Sequence, residues 1–342
     1  MTTAPMEGRD RPGERAAGPP WMWAAPVAGG LLVLFSFIAL IGFAIRSPQP
    51  HGIPLGVVGP PAETGQLSAA FAARAPGALR LTVYASEGAA RAAIDDRSVD
   101  GALVLGAARP RLIVAGASGS AIAAVISGAV SGAFRAQGVG VTVEMVHPFP
   151  AGDPDGLVLF FAVLGALIAS VVAGTRVGLL VHAGWQPRLA ILAVYGAAAG
   201  LVGMGTATWV AGGYGSGFWS AAGLLALAAA ALAAATAGAA RLLGAAGVAL
   251  AAAVLVLFDV ISSGGPLGSS MLPSFYGWLA QGMPAPQLYS ALRGALFFGG
   301  SSLGGPIVVL VAWLAGGVAL MGVAGVGRRA LRRQPPAAPS AV

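Results

Sequence analysis

The chain has 342 residues, of which 57% are hydrophobic and only 9% are charged, and its formal net charge is +7. Because soluble domains carry about a quarter charged residues, this composition excludes an ordinary soluble protein and indicates several membrane spans. Every basic residue is arginine and cysteine is absent, which excludes a Walker A lysine, disulfides and thiolate chemistry. The arginines that carry the surplus charge flank apolar segments, so the basic balance favours anionic lipid rather than nucleic acid as a partner.

The first 45 residues predict a tail and a membrane anchor. Residues 1–20 are rich in Pro, Gly and Arg, which predicts a disordered cytoplasmic tail. Residues 21–45 begin with tryptophans and continue with about twenty apolar residues, enough for a transmembrane helix. A cleaved signal peptide is the alternative. We favour an uncleaved signal-anchor, because the apolar run is long and the sequence GFAIRSP contains no clear small-x-small cleavage site.

Residues 46–155 form the one large hydrophilic block, and they predict a domain of alternating strands and helices. Such alternation is typical of an α/β domain with a mixed sheet. The block contains no recognisable catalytic arrangement, so we expect no catalytic residue, cofactor or metal site. The predicted strands are 54–58, 78–84, 99–105, 111–115 and 139–146, and the predicted helices are 64–75, 86–96 and 118–137.

Residues 156–327 predict a five-helix transmembrane domain, and residues 328–342 predict a basic cytoplasmic tail. Arginines near the span ends place both termini in the cytoplasm and the hydrophilic block outside. The predicted fold is therefore an α-helical polytopic membrane protein with six transmembrane helices and an extracytoplasmic α/β domain between helices 1 and 2. The five later spans are predicted at 156–175, 189–211, 218–240, 242–261 and 306–326.

The segment 264–303 precedes the last span and is apolar but broken by Gly and Pro. It predicts two short helices, 274–281 and 287–298, lying in the outer interface or dipping into the membrane. The alternative is a hydrophobic surface loop packed on its neighbours. The second helix carries an apolar stripe, and aromatic residues suited to headgroup depth occur in both. The stripe consists of Leu288, Leu292 and Leu296, and the aromatic residues are Tyr276, Trp278 and Tyr289.

The run LPSFYGWLAQGMPAPQLYSALRGALFFGG, at 272–300, resembles the ABC-2 type transporter permeases, especially the branch containing the YhgE/Pip membrane proteins. In those proteins a similar pair of short outer helices precedes a closing span and a basic tail. The strand IPLGVVG, at 53–59, resembles the opening of their external domain. The sequence departs from the family pattern directly afterwards, where GPPAE replaces an Asn-Glu-Asp-like turn.

The resemblance implies a membrane-spanning permease subunit that exports a hydrophobic or amphipathic substrate. It implies a separate ABC ATPase subunit, a homodimer or heterodimer of permease halves in the cell membrane, and no enzymatic activity in this chain. The alternative is a non-transporting envelope receptor or scaffold of the YhgE/Pip type. A membrane-embedded enzyme has less support, because Asp259 is the one acidic residue in the last five predicted spans.

Two groups of residues are candidate sites. In ABC-2 permeases the loop between the second and third spans carries a coupling helix for the ATPase. By position, this loop would offer Arg176, His182, Trp185 and Arg188. An ordinary short loop with positive-inside arginines is the alternative.

The second group predicts an outer gate or vestibule. An ionisable residue within a span usually faces a partner or a water-filled cavity, so we expect Asp259 to pair with Arg293 or to line this vestibule with it. The alternative is that Asp259 reaches the outer headgroups. The remaining predicted gate residues are Pro284, Pro286 and Tyr289.

Overall fold

The computed structural model of this protein describes residues 21–46, 49–106, 109–182 and 184–332. Residues 1–20 and the basic tail from residue 333 lie outside the described residues, so the predictions made for them stay predictions. The first described element is helix α1 (Trp21–Ile45), which includes the apolar stretch Val27–Phe43. Its position agrees with the predicted anchor, and its role as a sixth span remains a prediction.

A mixed sheet of five strands follows α1, as the alternating pattern predicts. The strand order is β2-β1-β3-β4-β5; β1 is parallel to β2 and β3, β3 is antiparallel to β4, and β4 is parallel to β5. All predicted strands and helices of this domain are confirmed, with shifts of a few residues at their ends. The elements are β1 (Ile53–Val58), α2 (Pro61–Arg74), β2 (Leu79–Tyr84), α3 (Glu87–Asp95), β3 (Gly101–Val104), β4 (Arg111–Ala115), α4 (Ser120–Arg135) and β5 (Thr142–Val146).

Helices cover both faces of this sheet. Leu55, Leu103 and Leu112 pack with α2 and α4 on one face. Ile113 packs on the other face with Ile94 of α3. Because the central strands are buried on both sides, their sequences are almost continuously apolar rather than alternating. The domain therefore has a hydrophobic core of its own.

In the described part of the chain, five helical segments after the sheet are long and apolar enough to cross a membrane, which supports a membrane-embedded protein. Their positions agree with the predicted spans. The fourth is interrupted by a π-helical stretch, and two short helices precede the last. The elements are α5 (Leu157–Leu179), α6 (Trp185–Ala211), α7 (Phe218–Leu243), α8 (Ala245–Ala252), the π-helical Ala253–Asp259, α9 (Val260–Ser262), α10 (Ser274–Ala280), α11 (Pro284–Phe297) and α12 (Gly304–Arg332).

Helix α7 lies at the centre of the bundle and packs against α5, α6 and α12. Most of its buried residues are alanine, and small side chains allow helix backbones to approach closely. On α6, Gly196 and Gly200 face α7, and a Cβ on Gly196 would lie 2.7 Å from the carbonyl oxygen of Ala226. These two glycines form a Gly-xxx-Gly pair that allows the backbones of α6 and α7 to approach closely. Helix α12 continues to Arg332, past the predicted end of the span at residue 326.

Candidate functional site

Helices α10 and α11 form a hairpin that enters the bundle. The indole Nε1 of Trp313 in α12 donates a hydrogen bond to the carbonyl oxygen of Gly282 at the turn of this hairpin, at 2.8 Å. Trp313 lies nine residues after the start of α12 at Gly304, which corresponds to about 13 Å along the helix axis. A depth of about 13 Å is close to half of a hydrocarbon core. The hairpin turn therefore lies beside α12, well inside the length of that span, and its depth in the membrane stays a prediction.

The first turn of α11 is buried. Two prolines in this turn reduce the number of backbone N–H groups that need a hydrogen-bond acceptor. Pro284 and Pro286 have no backbone N–H, so Ala285 carries the one N–H between them. That N–H donates to Oδ1 of Asp259 at 2.7 Å. The Asp259 carboxyl group is thus the cap of a half-helix that starts inside the bundle.

Asp259 is the last residue of the π-helical stretch and is 0% exposed. Among the described residues, its second oxygen, Oδ2, has no hydrogen-bond partner. Single π-helical turns inside α-helices occur often at functional sites, because the extra residue breaks the regular backbone ladder. The irregular helix, the buried acid and the half-helix start therefore lie together at one depth.

The other end of α11 is clamped to the α/β domain by two arginines. Arg293 donates to the carbonyl oxygen of Ser118, just before α4, and its guanidinium lies 4.8 Å from the ring centre of Tyr289. From the α/β domain, Arg97 donates to the carbonyl oxygen of Ser290 at 2.9 Å and to its Oγ at 3.1 Å. The sheet domain and the hairpin are therefore joined by reciprocal hydrogen bonds.

Charge is concentrated at this junction. Burial, followed by the repulsion from Arg293, lowers the pKa of Arg97 to about 10. Burial raises the pKa of Asp100 in the same region, although Ser118 and three arginines (Arg293, Arg97 and Arg80) oppose that shift. Arg97 also has a positive φ of 61°, which is unusual for a residue with a side chain. Sequence reasoning missed Arg97, because its contacts are nearly two hundred residues away along the chain.

The predicted contact between Asp259 and Arg293 is wrong. Both residues are described by the structure, and no ion pair joins them. Arg293 contacts Ser118, near the end of α11 that faces the α/β domain, whereas Asp259 contacts Ala285, near the opposite end. The alternative that Asp259 reaches the headgroups is also wrong, since its side chain is fully buried.

The predicted gate residues are packed rather than open. Pro284 and Pro286 are buried, and Tyr289 is 2% exposed. The Tyr289 hydroxyl donates to the carbonyl oxygen of Gly156 at 3.2 Å. Tyr276 is also buried, whereas Trp278 is 68% exposed, and the predicted position of both at headgroup depth stays a prediction. Pro284, Pro286 and Tyr289 are therefore packed inside the protein, and their role as a gate stays a prediction.

The predicted coupling loop is short. Residues 180–184 separate α5 from α6, so a separate coupling helix does not fit there. Arg188 is buried, and its guanidinium donates to the carbonyl oxygen of Val181. It holds the loop in place and is not part of an exposed docking surface. Arg176 and His182 are exposed, and Trp185 is 60% exposed.

A second buried acid was missed by sequence reasoning. Asp153 is 2% exposed, and its carboxylate accepts from the N–H groups of Val158 and Leu159 in the first turn of α5. Its Oδ2 also accepts from the hydroxyl of Tyr214 at 2.8 Å. An aspartate shortly before a long apolar run is a recognised helix-start signal and could have identified this cap.

Comparison of this chain with protein-family models, with curated proteins and with solved structures finds no match.

Proposed function

We propose that this chain is the membrane-spanning permease subunit of an ABC-2 type exporter, working as a homodimer or heterodimer in the cell membrane. A separate subunit would hydrolyse ATP, and the substrate would be hydrophobic or amphipathic. The observation that carries the proposal is the α10–α11 hairpin. Irregular backbone at membrane depth is tolerated only inside protein or beside a water-filled cavity. A simple anchor has no need of such a hairpin.

The hairpin and the α/β domain would move as one unit. Arg97 and Arg293 tie α11 to the α/β domain, so displacement of one requires displacement of the other or loss of the clamp. In this proposal ATP hydrolysis in the partner changes the packing of the bundle, and the hairpin opens a path toward the outer side.

Affinity purification from mild detergent tests the partner. We expect an ATPase subunit without membrane spans to co-purify, and we expect Trp185→Ala to reduce its recovery roughly tenfold, because exposed tryptophans often dominate interfaces. Trp209→Ala is the matched control, since Trp209 lies near the other end of α6 and is 80% exposed. Absence of an ATPase from the wild-type preparation, or equal loss in both variants, would contradict this proposal.

The proposed orientation has its own test. Ser68 on α2 is exposed, and the chain has no cysteine, so Ser68→Cys introduces a single thiol. We expect an impermeant thiol reagent to label it in intact cells. Ser340→Cys in the basic tail should be labelled only after permeabilisation. Ser118 is unsuitable as a reporter because it is buried. If intact cells were labelled at Ser340→Cys and not at Ser68→Cys, the proposed orientation would be contradicted and the opposite one supported.

A non-transporting receptor or scaffold is the second candidate. It is favoured by a cavity of about 300 Å³ in the α/β domain, between α2 and α4 and next to Leu105. Leu105 follows β3, and ligands of α/β sheets bind at the carboxyl ends of strands where the order reverses. Glu63 and Arg74 line the cavity. Recovery of the protein without an ATPase would favour this function.

A further inference from the structure

Among the described residues, Asp153 and Asp259 have the least exposed carboxyl groups, and their surroundings differ. Both oxygens of Asp153 are used: Oδ1 accepts from Val158 N at 2.9 Å, and Oδ2 accepts from Leu159 N at 3.1 Å and from the Tyr214 hydroxyl at 2.8 Å. Hydrogen bonds of this kind stabilise the charged form of a carboxyl group. Each carboxyl oxygen of Asp153 thus has at least one hydrogen-bond donor.

Asp259 lacks such surroundings. It is 0% exposed and accepts one hydrogen bond, from Ala285 N to Oδ1, while Oδ2 has no partner among the described residues. A buried carboxylate with an unpaired oxygen is strongly unfavourable, whereas a carboxylic acid carries no net charge and needs fewer hydrogen-bond donors around it. The same Asp259 still caps α11 when Oδ2 is protonated, because Oδ1 remains an acceptor.

No neighbouring charge compensates for Asp259 in the described part of the chain. The segment that contains Asp259 is surrounded by α1, α5, α8, α9, α10 and α11. Few side chains of these helices are titratable. On α11, Arg293 is engaged with Ser118, and the Tyr289 hydroxyl with Gly156. On α10, the Tyr276 hydroxyl donates to the carbonyl oxygen of Leu40. On α5, Arg176 is exposed in the last turn, at the end opposite to the hairpin.

We propose that Asp259 is a proton-binding site that couples protonation to movement of the α10–α11 hairpin. When the hairpin is packed as in the structure, Oδ2 carries the proton and Oδ1 caps α11. When the hairpin moves away, water reaches the carboxyl group, the O–H bond breaks, and the proton passes to that water and leaves a carboxylate. Uptake of a proton reverses the step. This inference rests on the geometry at Asp259 and does not require an ATPase partner.

Infrared difference spectroscopy in lipid nanodiscs tests the protonation state. Asp259→Asn preserves the shape and the Oδ1 acceptor, so this variant is expected to fold. We expect the wild type at neutral pH to show the C=O band of a protonated carboxylic acid, and the band to be lost in Asp259→Asn and kept in Asp153→Asn. The C=O band of the wild type should disappear as the pH rises. This pH titration tests the proposal without any variant. Absence of the band from the wild type, or its survival in Asp259→Asn, would overturn the proposal.

A single thiol at the hairpin turn tests the coupling. Gln281 is exposed at this turn, so the alkylation rate of Gln281→Cys reports its accessibility. The alkylation rate of any thiol rises with pH because more thiolate forms. Dividing by the rate of Ser68→Cys on α2 removes this contribution. We expect the corrected rate to rise several-fold with pH when Asp259 is present and to stay constant in the Asp259→Asn background. An identical pH profile in both backgrounds would overturn the coupling, whatever the outcome for the ATPase partner.

Discussion

Replacement of Gly200 by leucine is expected to disrupt the packing of α6 on α7 and to prevent recovery of a monodisperse protein. A Cβ at this position would overlap the carbonyl oxygen of Ala222 and would lie 2.8 Å from the Cβ of Ala226. Because the carbonyl oxygen of Ala222 is a backbone atom, no change of side-chain rotamer removes the overlap. The two helices must therefore separate. Overpacking of a core costs about 1–3 kcal/mol, and we expect a value at or above the upper end because the whole helix pair is displaced.

Gly205→Leu provides the control on the same helix. No atom lies within 4 Å of a Cβ built on Gly205, so the side chain would extend into open space. Both variants replace a helical glycine and gain the same helix propensity, about 0.8 kcal/mol. Thermal unfolding and size-exclusion profiles in detergent should therefore separate them. Equal stability of the two variants would show that close approach at Gly200 does not limit the packing of the bundle.

Asp153→Ala is expected to be the most damaging substitution at the junction of the sheet domain and the bundle. Three donors would lose their acceptor: the N–H groups of Val158 and Leu159 and the hydroxyl of Tyr214. Each buried unsatisfied donor costs about 1–3 kcal/mol, so we expect a loss of roughly 3 kcal/mol or more. Burial, followed by the hydrogen bond to Asp153, raises the pKa of Tyr214, so the phenol keeps its proton and remains a donor.

Two variants bracket this effect in the same thermal-unfolding measurement. Asp155→Ala removes an exposed aspartate two residues away and should leave the unfolding temperature nearly unchanged. Tyr214→Phe removes one of the three donors and should cost about 1 kcal/mol, because Phe retains the packing of the ring. If Asp153→Ala were no worse than Asp155→Ala, the cap at the start of α5 would not contribute to stability.

Strand β4 and the leucine stripe of α11 could both be predicted from the sequence alone. Strand β4 was predicted at 111–115 and begins and ends there, since a short apolar run bounded by Pro110 and Gly116 allows few alternatives. The stripe of Leu288, Leu292 and Leu296 is buried as its spacing predicts. These features depend on periodicity and on chain-breaking residues, which are local properties.

Composition and periodicity are enough to predict a membrane protein with apolar helices and an α/β domain, because both are local properties of the chain. The packed fold was needed to show that Asp259 caps α11 rather than pairing with Arg293, and that Arg97 donates hydrogen bonds to Ser290. The physical reason is that hydrogen-bond partners depend on which donors remain unsatisfied once distant segments have packed together. A charge in a sequence indicates that a partner is needed, and the fold determines which atom becomes that partner.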